Sequence, residues 1–197
     1  MLALAPGRRL ARDRVIESLW PQLEPEAGAA NLRKAAHRAR TALGAREAVV
    51  LRGGTVALFP DAEVEVDAEL FEREAEAALA AGDPGACAAA AERFTGELLA
   101  GASYADWAQE PRRRLGELLV RLLRAAGSWE RVAELEPTDE AAHRALMEAE
   151  LERGSRHAAI RWYARLRANL ARELGVTPGP EAQAIYERCV AGLGVAE

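Results

Sequence analysis

The residues best placed to do chemistry are seven polar side chains in two short stretches. Six lie in NLRKAAHRARTALG, residues 31–44: Arg33, Lys34, His37, Arg38, Arg40 and Thr41. The seventh, Arg52, precedes the glycine pair of AVVLRGGTVALF. A guanidinium forks toward phosphates, carboxylates and the guanine edge, and an ammonium adds a compact point charge. A set rich in these groups holds an anion or a polyanion; it does not make or break bonds. A charge run alone is ordinarily a solvated helix face, so its meaning depends on the elements that carry it.

Other chemistries find no support in the residue spacing. Ser103, Ser128 and Ser155 have no nucleophile setting, and Gly53-Gly54 lacks the rest of the phosphate-loop pattern GxxxxGK[ST]. His37, His143 and His157 stand at no metal-ligand spacing from Cys, Asp or Glu, so surface or helix-packing roles are expected for them. Glu148, Glu150 and Glu152 read as a solvated helix face. The expectation is a protein that is not an enzyme and uses no cofactor and no metal.

Helical periodicity organises the basic stretch. Leu32, Ala36, Ala39 and Leu43 recur at spacings of four, three and four, which puts them on one face. Arg33, Lys34, His37, Arg38 and Thr41 then occupy the opposite side. After them, Val49–Leu51 and Val56–Phe59 are short β-prone runs joined through Arg52, Gly53 and Gly54, and a glycine pair tolerates the positive φ of a tight hairpin. Ahead of them, Arg8–Leu10 suits a short extended piece and Asp13–Trp20 a helix with Val15, Ile16, Leu19 and Trp20 along one stripe. Pro21 ends that helix, and Gln22–Ala30, interrupted by Pro25 and Gly28, reads as a loop. Two helices separated by a loop, the second one basic and followed by a hairpin, form a winged helix-turn-helix.

Charge divides the chain in the same place. Residues 1–54 carry ten Arg and Lys against five Asp and Glu, a net of +5, while the remainder carries sixteen against twenty-six, a net of −10. One end is suited to a polyanion, the other to solvent or a different partner. The chain of 197 residues is half hydrophobic and alanine-rich, enough for a substantial core built mainly of closely packed helices. No apolar run reaches the ~18 to 20 residues that span a bilayer, so no membrane partner is expected. The apolar start, Met1–Ala5, is too short for a signal peptide. Cys87 and Cys189 have apolar neighbours and read as small core residues in a reducing cytoplasm.

Beyond Asp61 the spacing predicts helices over Asp67–Ala81, Gly85 to about Phe94, Tyr104–Ala126, Asp139–Arg153, Arg156–Glu173 and Pro180–Ala191. Phe71, Ala75 and Ala78 should face inward with Leu70, as should Leu115, Leu118, Leu119, Leu122 and Leu123. Glycines at 82, 127 and 154 join successive helices at spacings of 45 and 27, an array like tetratricopeptide repeats but less regular. Trp107, Trp129, Trp162 and Tyr163 should fill grooves between helices, with a ligand-binding concave surface as the alternative.

The motifs in this order resemble the regulators that carry a bacterial transcriptional activator domain, typified by the antibiotic regulatory proteins of actinomycetes. The most specific stretch is LARELGVTPGPEAQAIYERCV, in which Leu170, Glu173, Leu174, Gly175, Val176, Pro178, Pro180 and Glu181 look like that family's closing motif. VDAELFE, GELLAGASYADWAQEPRRRLGEL and the helix pair around Gly154 extend the match. LALAPGRRLARDRVIESLWP, NLRKAAHRARTALG and Arg52-Gly53-Gly54 look like an OmpR-type winged helix.

The resemblance implies a mainly α fold. A truncated winged helix-turn-helix with a small β-hairpin wing, residues 1–60, would be followed by a tetratricopeptide-like helical domain, residues 61–197. It implies a transcription regulator, an activator, whose segment Asn31–Leu43 enters the major groove of double-stranded DNA while Arg52 approaches the backbone or minor groove. The loop Pro21–Ala30 corresponds to one that touches RNA polymerase in OmpR-like proteins, and self-association is a further expectation. Relatives usually place a small sheet and a full first helix before the LALAPG turn, and here only Met1–Ala5 corresponds to that helix. Leu19, Trp20 and Leu32 are therefore expected to be partly uncovered. The competing reading is a tetratricopeptide-like interaction scaffold without DNA binding of its own.

Overall fold

A computed structural model describes residues 1–102 and 104–191; Ser103 lies outside the described residues. The described chain is mainly α-helical with one small sheet, a winged helix followed by a tetratricopeptide-like helical domain. It divides into two compact units. One comprises Met1–Glu74 and Phe94–Glu117, the other Ala75–Arg93 and the chain from Leu118 onward.

The first unit opens with two 3₁₀ turns, Leu2–Leu4 and Pro6–Arg8, which lead into strand β1, Arg9–Ala11. Helix α1 spans Arg12–Leu19 and α2 spans Pro25–Leu43. Strands β2, Val49–Arg52, and β3, Thr55–Leu58, form the hairpin. Gly53 and Gly54 turn it at φ of 58° and 75°, the left-handed region that L side chains rarely adopt. The sheet order is β1-β3-β2, antiparallel throughout, with Ala11 opposite Thr55 and Leu51 opposite Val56. Val15, Ile16, Ala29, Leu32, Ala36, Val49 and Val56 form the core between helices and sheet, and Met1, Leu2, Leu10, Trp20 and Leu58 pack against it. Leu32, expected to be partly uncovered, is 4% exposed because the third strand and the N-terminal turn complete this cluster. Leu19 is 39% exposed and Trp20 is half-buried.

Arg8 ties this unit together in spite of its own positive φ of 55°. Its guanidinium donates to the Val64 carbonyl at 2.8 Å and to both carboxylate oxygens of Glu69 at 2.8 Å. Glu69 lies in α3, Asp67–Ala81, whose Phe71 stacks edge-on against Phe94 at 5.3 Å. Arg112, in α5, Asp106–Ala125, is buried and donates to the carbonyls of Leu98, Leu99 and Ala102 at 2.7–2.9 Å.

The second unit contains α4, Pro84–Ala91, α6, Trp129–Leu135, α7, Glu140–Glu152, α8, Arg156–Glu173, and α9, Pro180–Ala191. Glycines 82, 127, 154 and 175 sit at positive φ where one helix ends, which is why the breaks were legible. Asp139 caps α7 through the Ala142 N–H at 2.9 Å. Met147, Ala159, Tyr163, Leu166, Leu170, Ala182, Ile185 and Cys189 make the core of α7, α8 and α9. The closing motif docks on α7: the Gly179 N–H donates to Glu140 at 2.7 Å and Arg144 pairs with Glu181. Leu115, Leu118, Leu119, Leu122 and Leu123 are buried as expected, and so are Phe71, Ala75, Ala78 and both cysteines. Tyr163 is buried and stacks on Tyr186 at 4.4 Å, whereas Trp107, Trp129 and Trp162 are half-buried. His143 is fully buried and meets Trp162 edge-on at 5.9 Å. No helix among the described residues is long and apolar enough to cross a membrane.

Candidate nucleic-acid interface

Helix α2 begins earlier than its composition suggests. Pro25 is its first residue, where a missing N–H removes no helical bond, and Gly28 lies inside it instead of breaking it. The loop expected over 22–30 thus shrinks to the residues before Pro25. The reason is a tertiary contact. Gly28 is buried, and a Cβ built there would lie 2.4 Å from Cγ2 of Ile16, so only glycine lets α1 and α2 approach this closely. Gly44 ends α2 in the left-handed conformation at φ 67°.

This packing turns Leu32 and Ala36 inward and leaves Arg33, Lys34, His37, Arg38 and Thr41 exposed. Leu43, expected on the buried face, is 52% exposed, because the core cluster under α2 ends at Ala39. Arg40 is half-buried and its Nε–H donates to the Val49 carbonyl at 2.7 Å, bracing α2 against β2. The Thr41 hydroxyl donates to the His37 carbonyl at 3.0 Å. Arg52 is exposed at the last position of β2, and the Thr55 hydroxyl donates to its carbonyl at 2.8 Å.

Two of the seven residues converge. Arg33 and Arg52 line one hollow of about 250 Å³ together with Arg12, Ala29, Leu51, Gly53, Gly54 and Thr55. His37, Arg38 and Thr41 stand on α2 outside it. Arg12 escaped the sequence reading because it lies some twenty residues before Arg33. Only the pairing of β1 with β3, and the Arg12 N–H that donates to the Gly54 carbonyl at 2.9 Å, bring it to the wing. Its one signal in the sequence was its place in the basic first quarter.

Many arginines elsewhere in the fold are neutralised by carboxylates, although the exposed Arg161, Arg165 and Arg167 of α8 are not, among the described residues. Among the described residues, Arg12, Arg33, Lys34, Arg38 and Arg52 have no carboxylate partner within ion-pair distance. By contrast, Arg113 pairs with Glu110 and Glu117, Arg124 with Glu136 and Asp139, and Arg131 with Glu92. Unpaired positive charge around a concavity attracts anions and steers their approach. Among the described residues, no group of three His, Cys, Asp or Glu side chains could hold a metal ion.

Residues 66–189 match the family model described as Bacterial transcriptional activator domain, more than half of the chain. No curated protein matches the sequence. Among solved structures the fold is similar to that of Mycobacterium tuberculosis EmbR in complex with low affinity phosphopeptide, with a TM-score of 0.69 at 20% identity. That likeness covers 98% of this chain and 57% of the EmbR chain, so this chain spans little more than half the length of the protein it resembles.

Proposed function

We propose that this chain, which belongs to the bacterial transcriptional activator domain family and is thus a transcription regulator of the antibiotic-regulatory-protein type, works by binding double-stranded DNA through α2 and the wing. The family is one of regulators, not of enzymes. The observation that carries the proposal is the set of exposed cations on α2 and the hairpin turn that have no carboxylate partner among the described residues. In this reading Lys34, His37, Arg38 and Thr41 present themselves to the major groove, Arg33 stands at its edge beside the wing, Arg40 braces the helix they ride on, and Arg52 meets the DNA from the wing. Residues 1–60 act as the DNA-binding part and residues 61–197 as the helical regulatory domain. The connection Trp20–Glu24, with Pro21 and Gln22 exposed, is the segment offered to RNA polymerase in an activating role. Self-association falls to the helical domain, and the setting is the cytoplasm, where the DNA is.

Fluorescence anisotropy of the full chain with promoter fragments from its own genome, over a salt series, tests this. With Arg33, Lys34, Arg38 and Arg52 neutralising at most one phosphate each, log Kd should change with log salt at a slope of magnitude no more than about 3.6. Arg33→Ala with Arg38→Ala should weaken binding and flatten that slope. An unaltered chain that binds no fragment at low salt would sink the proposal.

A further inference from the structure

Resting on that DNA-binding reading, we propose that Arg12, Arg33 and Arg52 together seat one backbone phosphate of the duplex. The wing arginine is then a phosphate ligand, not a reader of the minor groove.

Three separate, firmly held elements each bring an arginine to one hollow. Arg12 opens α1, and its own N–H is held by the Gly54 carbonyl at 2.9 Å. Arg52 ends β2, and its carbonyl accepts the Thr55 hydroxyl at 2.8 Å while Thr55 sits opposite Ala11. Arg33 follows the buried Leu32 on α2, so its position is fixed by the core. The hollow's floor is Ala29, 6% exposed, and the half-buried Leu51. No carboxylate lines it.

Three arginines line about 250 Å³ with no carboxylate among the lining residues, and an anion with several oxygens can accept from more than one guanidinium there. The space suits a phosphodiester group with its first waters. Gly53 and Gly54 open the rim: nothing lies within 4 Å of a Cβ built at either, so the backbone there is free to meet a DNA strand. Arg12 therefore joins the interface although it lies outside the helix that faces the groove. A contact of this kind fixes the register of α2 on the duplex and carries no sequence information of its own.

A methylphosphonate scan of a bound promoter duplex tests the proposal on the full chain, with Arg12→Ala and Arg52→Ala as variants. Both side chains are exposed, so folding should persist, and circular dichroism checks that it does. One neutralised backbone position should weaken the unaltered chain several-fold and make both substitutions silent. When Arg33→Ala is added to both, the salt slope should fall by about 0.9, the value for one phosphate, not by about three times that. Different neutralised positions silencing the two variants would overturn the proposal, as would a loss on Arg52→Ala confined to A·T-rich flanks. In either case DNA binding survives and only the shared phosphate fails. A chain that binds no DNA before any substitution removes the parent reading, and the two failures are thereby distinct.

Discussion

Replacing Gly28 by Ala tests whether the approach of α1 to α2 sets the position of the basic helix. Two effects oppose each other. Alanine in a helix interior is favoured over glycine by about 0.8–1 kcal/mol. The new methyl, however, would stand 2.4 Å from Cγ2 of Ile16, where carbon atoms prefer about 3.5–4.0 Å. Ile16 is 8% exposed and β-branched, so it has few rotamers into which it can retreat. Overpacking of a buried contact costs about 1–3 kcal/mol, and a gap short by more than 1 Å belongs at the upper end of that range. The expected net loss is about 2 kcal/mol.

The double-mutant cycle gives the sharper reading. Ile16→Ala removes the offending methyl and should cost about 2–5 kcal/mol by itself. In that background Gly28→Ala should turn stabilising by about 1 kcal/mol, a coupling of about 3 kcal/mol between the two sites. Urea unfolding followed by circular dichroism measures the four chains, and amide exchange in α2 localises the effect to the first unit. If Gly28→Ala stabilises both backgrounds alike, the close approach does not exist and the account of why α2 starts at Pro25 falls with it.

Arg112→Ala leaves the Leu98, Leu99 and Ala102 carbonyls without their charged donor, and should cost about 3 kcal/mol in urea unfolding. Arg112→Lys should recover little, since one ammonium cannot reproduce a fork across three acceptors. His143 makes a pH prediction. Burial lowers its pKa below the ordinary value of 6.5; its Nδ1 donates to the Asp139 carbonyl at 2.9 Å, and its buried Nε2 has no hydrogen-bond partner among the described residues. Above 6.5 both folded and unfolded chains hold it neutral; as pH falls below that value the unfolded chain takes the proton first, so stability declines. Melting temperatures at pH 7.5 and 5.5 should differ less after His143→Leu than before. His37→Glu puts a carboxylate four residues after Arg33 and three before Arg40, which should stabilise α2 by about 0.2–0.5 kcal/mol per pair. The same change should weaken DNA binding strongly in the anisotropy titration, and unchanged affinity would argue that α2 does not face the duplex.

Legibility in the sequence followed the range of the determining interaction. Helices α8 and α9 start and stop where Gly154, Gly175 and Pro180 say, because a left-handed residue or a proline acts within one turn. The hairpin was legible for the same reason. Gly28 misled because its role is to let Ile16 come close, a fact of packing that looks, locally, like a helix breaker. Leu32 misled in the opposite sense: its cover includes β3, more than twenty residues downstream. Arg12 stayed hidden until strand pairing placed it beside the wing.

Arginine itself could not be sorted by type or by local density. QEPRRRLGEL is as dense in cations as the run in α2, yet Arg112 is spent on carbonyls and Glu97, Arg113 on Glu110 and Glu117, and Arg114 on Glu72. Glu110 and Glu117 lie three and four positions from Arg113, so helical spacing closes the pairs within one turn. Between Asn31 and Gly44 there is no acid at all, and the nearest in sequence, Glu26 and Glu47, stand beyond either end of the run. A neighbouring element could still have supplied one, as α3 does for Arg114, but the sheet against which α2 packs offers Val49, Val56 and their apolar neighbours instead. Positive charge therefore survives on this surface for a combined reason: no carboxylate falls at helical spacing, and none is brought in by the fold. That double absence keeps the face from neutralising itself, and α8 shares it through Arg161, Arg165 and Arg167, so what distinguishes α2 is the wing that brings Arg52 and Arg12 beside Arg33.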